Sequence, residues 1–194
     1  MGNRGAYGFR IDGQEKVTYE HGQSYPESLG KKVLLYLAKT PIDQIKQVAK
    51  KIILVNEHED KPTIEQIEKY KKYSNLEIGE NRLDCWRNLL YYTRSNLSLY
   101  HLDVEHMIDY SWFLGDSLFC EWGYIINLDN ETLEVYVGFN KNPNAHGRYA
   151  FVDMGDDCEY AGVSLEKEIR LTEIKKRNVG KIIKELEKLG RDEE

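Results

Sequence analysis

Disulfide chemistry is the first thing this chain lacks. Its cysteines are three, Cys85, Cys120 and Cys158, an odd number with no CxxC spacing. That argues against a disulfide framework and for reduced thiols in a cytosol. Long apolar runs are missing too. None approaches the ~20 residues of a membrane span, so no membrane partner is expected. Arg4 and Arg10 interrupt the start and no apolar stretch follows, so no secretory leader is expected and the expected location is cytoplasmic. GxSxG, the P-loop, a helix-opening GxGxxG and HExxH are all absent, which removes the hydrolase elbow, the phosphate cradle, the dinucleotide fingerprint and the zincin pair. No cofactor and no metal is expected. Repeats and low-complexity tracts are likewise missing.

Positive charge is scarce overall: the formal net charge is −6. Its distribution is uneven. Residues 1–55 carry nine Lys/Arg against five Asp/Glu, and the rest carries 18 against 28. The acidity argues against broad nucleic-acid binding, which needs many phosphate contacts. A local basic region near the N-terminus is still able to hold a small anion. Fourteen tyrosines stand against five phenylalanines. Tyrosine joins apolar area to a hydrogen-bonding tip, so it suits sheet faces and binding surfaces alike.

At 194 residues the chain has the length of one domain, 1–194, with one core. Residues 5–11 and 15–21 alternate around Asp12-Gly13, which predicts a β-hairpin. Pro26 opens a helix carrying Leu29, Val33, Leu34 and Leu37. Thr40-Pro41 starts a second helix with Ile42, Ile45, Val48 and Ile52, and Pro62-Thr63 a third with Ile64, Ile67 and Tyr70. A fourth is predicted over 83–95; 96–117 has no clear period. Leu118 to Phe139 reads as two long strands turning at Asn130. The first is apolar on both faces, as a central strand is. Val163, Leu165, Ile169 and Leu171 share a period of two and predict a last strand at a sheet edge. The tail 172–194 reads as an amphipathic C-terminal helix with a frayed end. The expected fold class is α+β: a mainly antiparallel sheet of about five to six strands backed by helices.

Few groups suggest chemistry. Arg4, Arg10, Lys16, Tyr19, His21, Ser24 and Tyr25 form the richest polar cluster. Arginine forks pair carboxylate or phosphate, and aromatic rings offer a stacking face. Glu121, in the predicted central strand, is costly to bury unless paired. If the two hairpins pack side by side, Glu121 meets Arg4 or Arg10. His21 could serve as a base. His101, Asp103, Glu105, His106 and Asp109 are dense in metal-type donors, but five residues between the histidines does not align them on one helix face. Cys120 reads as core, and its carboxylate neighbour works against thiolate formation.

MGNRGAYGFRIDGQEKVTYEHGQSYPESLG and DSLFCEWGYIINLDNETLEVYVGFN resemble two blocks of a family of small uncharacterised proteins from tailed phages and prophages. The blocks cover somewhat over a quarter of the chain. Where the family often has an aromatic and an acidic residue, this chain has Gly22 and Gln23. The resemblance implies a phage accessory protein acting on host machinery in the bacterial cytoplasm, a counter-defence role such as sequestering a nucleotide-derived immune signal. The expected ligand-binding residues are Arg4, Arg10, Tyr19, His21, Tyr25, Glu121 and Trp122. The expected partner is a small anionic ligand or a host protein, and a homo-oligomer is compatible with either. Binding is favoured over catalysis. The alternatives are a hydrolase using His21 and Glu121 as acid and base, and an interaction module using the C-terminal helix.

Overall fold

The structure is a computed structural model, and it describes residues 3–77, 82–141, 145–151 and 160–189. The chain opens with β1 (Gly5–Ile11) and β2 (Gln14–Glu20), an antiparallel hairpin as expected. Asp12 and Gly13 both hold positive φ, 51° and 75°, the geometry that favours Asp-Gly in a two-residue hairpin turn. A widened helical turn, Pro26–Gly30, runs into α1 (Lys31–Lys39), and α2 (Ile42–Lys51) follows. Then come β3 (Ile53–Val55), α3 (Ile64–Tyr70) and α4 (Trp86–Leu89). Beyond them are β4 (His106–Ile108), β5 (Trp122–Asn127), β6 (Thr132–Val137), β7 (Ser164–Arg170), α5 (Leu171–Ile174) and α6 (Val179–Leu186).

Five strands form one mainly antiparallel sheet in the order β2-β1-β5-β6-β7. The two hairpins do share it, and the late strand takes an edge. The β1–β5 pair at its centre is parallel, which a crossover of about a hundred residues permits. Both faces of the sheet are covered. Tyr7, Phe9, Trp122, Tyr124, Ile126, Leu133 and Val135 pack under the helices with Leu34, Leu37, Ile45 and Ile182. Ala6, Val17, Ile125 and Tyr136 pack on the other face, under Phe113, Leu114, Tyr149 and Val163. That two-sided cover is why β5 carries apolar residues on both faces.

Four expectations change. Ile53–Val55, assigned to no element from the sequence, pairs in parallel with His106–Ile108 in a small second sheet. The fourth helix is a single α turn followed by a 3₁₀ turn, Tyr91–Thr93; Ser95 then reverses the chain at φ 57°. In β7, Glu166 has no partner in the register. This bulge puts Leu165 against one core and Ile169 in the other, so the period of two breaks there. The tail divides into α5 and α6 because Asn178 is extended. Ile174, Ile182 and Leu186 are all buried in the main core, so the face proposed for a partner protein is already used. Residues 190–194, where fraying was expected, lie outside the described residues. No helix among the described residues is long and apolar enough to cross a membrane.

One buried ion pair fastens the irregular segment to the sheet. Glu134 on β6 is 3% exposed, and Arg148 grips both its oxygens at 2.8 and 2.6 Å. Asn127 donates to the same carboxylate at 2.7 Å and Tyr136 at 2.9 Å. Burial pushes the Glu134 carboxyl up, but these donors outweigh it and hold it below its ordinary value. Replacing Arg148 by alanine leaves a buried, unpaired carboxylate. A loss of about 3 kcal/mol is expected in urea unfolding at pH 7. A depressed carboxyl contributes stability above its unfolded value, 4.5, and loses it as pH falls through the folded one. The difference between wild type and variant is therefore expected to shrink on acidification below pH 4.5.

Candidate functional site

The N-terminal cluster does not converge as one site. Arg10 donates to Glu15 at 2.6 Å and approaches Asp129 at 3.7 Å. Glu121 lies at the opposite end of the strand, its N–H bonded to the Arg4 carbonyl at 3.0 Å. Six extended residues part Arg4 from Arg10, about 20 Å. The guanidinium of Arg4 lies 5.5 Å over the Phe119 ring. Tyr19 packs on Phe113 at 5.1 Å, and its hydroxyl meets His21 Nδ1 at 2.7 Å. Lys16 donates to the Lys50 and Ile52 carbonyls, closing the end of α2, a favourable place for a cation.

Tyr25, Glu121 and Trp122 do come together. They line a cavity of about 880 Å³ between the turn after β2, the ends of β5 and β6, and the end of α6. Among the described residues its charged lining is Glu27, Glu121 and Glu187, with no lysine or arginine. That sign is wrong for an anion. His21 is exposed and does not line this cavity, so the acid and base named for a hydrolase do not share it. The side-chain amide of Asn3 donates to Glu121; burial nevertheless outweighs this bond and pushes the Glu121 carboxyl up.

A second cavity, about 510 Å³, has the opposite sign. It lies between α1 and residues 92–98, with Tyr7 of β1 in its lining. Lys32, Tyr36 and Lys39 fall at i, i+4 and i+7, one stripe of α1. Arg94, Ser95, Asn96 and Ser98 face them. Among the described residues three cations line it and no carboxylate does. The Arg94 guanidinium stacks over Tyr91 at 5.0 Å, which orients the fork. Ser95 is held in its left-handed conformation: its N–H donates to the Tyr7 hydroxyl at 2.7 Å and its hydroxyl to Glu20. Tyr36 meets His101 Nε2 at 2.7 Å. Burial raises the tyrosine and lowers the histidine, so both are neutral at pH 7, and the histidine tautomer sets which of them donates.

None of these basic residues stood out in the sequence. The available signal was the Lys32–Tyr36–Lys39 stripe on a helix whose apolar face was already recognised. The remaining half of the site was illegible, because Arg94 and Ser95 reach it through a strained turn. The metal-type donors are dispersed: His101 on Tyr36, His106 between Tyr70 and Gln66, Asp103 on Lys72 and Tyr73, Glu105 on Lys69. Among the described residues no group of three His, Cys, Asp or Glu could hold a metal ion. Cys120 is buried and its thiol is pushed up by burial; Cys158 lies outside the described residues. No family model, curated protein or solved structure matches this chain.

A carboxyl raised by folding costs stability wherever it is ionised. Glu121→Gln is therefore expected to raise the melting midpoint at pH 7. The gain should vanish below pH 4.5, where wild-type Glu121 is also neutral. Unchanged melting at pH 7 would mean that Glu121 ionises without penalty.

Proposed function

We propose that this protein binds a small organic anion of about mononucleotide size in the cavity between α1 and residues 92–98, and releases it unchanged. One observation carries the reading: Lys32, Lys39 and Arg94 line a single cavity with no carboxylate among its described lining residues, in a chain of net charge −6. Like charges gathered this way repel, and an anion relieves the repulsion. Tyr92, 58% exposed at the rim, offers a ring face to a base or other planar group. The volume lies within the ordinary range for ligand cavities. No general base is required for this task.

The biological role follows from the two sequence blocks that resemble proteins of tailed phages and prophages. An accessory protein of that kind, in the cytoplasm of an infected bacterium, would act by sequestering a host signal or by binding a host factor. Counter-defence against a nucleotide-derived signal is the role we assign. A homo-oligomer is compatible with it.

Thermal melting against mono-, di- and cyclic nucleotides, with each mixture then run on HPLC, tests the reading. A bound ligand at 100 times its Kd adds about 2.7 kcal/mol, a rise of several degrees, with the ligand recovered intact. Arg94→Ala is expected to weaken binding roughly tenfold or more, since charge-assisted hydrogen bonds contribute about 1.5–3 kcal/mol. Added salt should weaken it further. Equal affinity in Lys32→Ala, Lys39→Ala and Arg94→Ala would remove this cavity from consideration, and a converted ligand would make the protein an enzyme.

A further inference from the structure

We propose that the larger cavity, at the Glu121 end of the sheet, binds an organic cation: an ammonium or guanidinium group on an apolar stem. This site is separate from the anion cavity and does not depend on it.

The walls and the charges point the same way. Tyr25, Pro26, Trp122, Val137, Phe139 and Leu189 supply an apolar and aromatic lining. Tyr25 is 49% exposed and Phe139 42%, so ring surface stands open at the mouth. Trp122 is fixed from behind by Tyr124, stacked at 6.2 Å and 8°. Aromatic faces attract cations through their negative quadrupole. Glu27, Glu121 and Glu187 come from three distant parts of the chain and are joined only by folding. The Arg4 guanidinium is turned onto Phe119 and does not line the cavity. An anion entering here would meet three carboxylates. A cation would find counter-charges and a dry stem-binding wall together, and that complementarity selects the occupant.

Two details agree with this. Folding pushes the Glu121 carboxyl up chiefly by burial, a cost that a bound cation reverses. Phe139 sits at φ 55°, costly for a bulky residue. Its N–H is held by the Ser117 carbonyl at 2.7 Å, and the conformation places its ring in the cavity wall.

The same chemistry reaches the cavity from a free amine or from a basic side chain on a peptide. The test uses the full chain, labelled with ¹⁵N in its indoles, and follows the Trp122 N–H signal, assigned from the Trp122→Phe spectrum. Agmatine, a Gly-Arg-Gly peptide and uncharged butylurea are titrated to millimolar concentration. A saturable Trp122 shift with agmatine or the peptide, and none with butylurea, is expected. Tighter binding of agmatine identifies a free amine as the occupant; tighter binding of the peptide identifies a partner's side chain. Glu121→Gln, which should remain folded, is expected to weaken the cation about tenfold, while Lys32→Ala leaves it unchanged. No saturable response from either cation, an equal response from butylurea, or full affinity in both Glu121→Gln and Glu187→Gln would overturn the proposal.

Discussion

Pairing of β1 with β5 is the constraint on which the rest of the molecule depends. Gly5–Arg10 and Trp122–Asn127 lie more than a hundred residues apart, yet they register in parallel through the centre of the sheet. Each is also one strand of a hairpin, so a single pairing unites both hairpins. Because the pair is central, both of its faces must be covered. The helices cover one, and Phe113, Leu114, Tyr149 and Val163 cover the other. Placement follows from it as well. Glu121 sits beside Arg4, while Arg10 is carried to the far end, where it meets Glu15 and Asp129.

Two cavities of opposite sign flank the helix that begins at Pro26. Its start presents Glu27 to the larger one, and its later turns present Lys32 and Lys39 to the smaller. That polarity matches the helix dipole, acidic residues at the N-terminus and basic residues towards the C-terminus. The widened turn between them holds Gly30 against Tyr124, where a Cβ would lie 3.0 Å from the ring. Side chains on one helix thus divide anion from cation chemistry without contact between the two sites.

The sequence was most legible where the period was local. Tyr7-Phe9-Ile11 against Ala6-Gly8-Arg10 predicted the faces of β1 correctly, and Asp12-Gly13 its turn. The run from Leu118, apolar on both faces, predicted a central strand, although β5 begins only at Trp122. Thr63 with Gln66 forms a reciprocal capping box at the expected start of α3. Errors fell where tertiary contacts override local preference. Ile53–Val55 follows the expected second helix with no period of its own, and only pairing with His106–Ile108, about fifty residues away, makes it a strand. The bulge at Glu166 hides a change of face inside an alternating pattern. The site fared less well: Tyr25, Glu121 and Trp122 were brought together, Arg10 was sent elsewhere, and the basic cavity was not foreseen.

By itself the sequence determined the first three helices, the hairpins, the central strand and the mainly antiparallel α+β class. These follow from backbone preference and from burial repeated every two or 3.6 residues, which are properties of neighbours in the chain. Only the tertiary structure decided that β1 and β5 run parallel, which cations line one cavity, and which carboxylates share the other. Electrostatic and packing partners are chosen by distance in space. For Arg94 and Lys32, or Glu121 and Glu187, that distance is set by a hundred-residue crossover and a five-stranded register which no local pattern encodes.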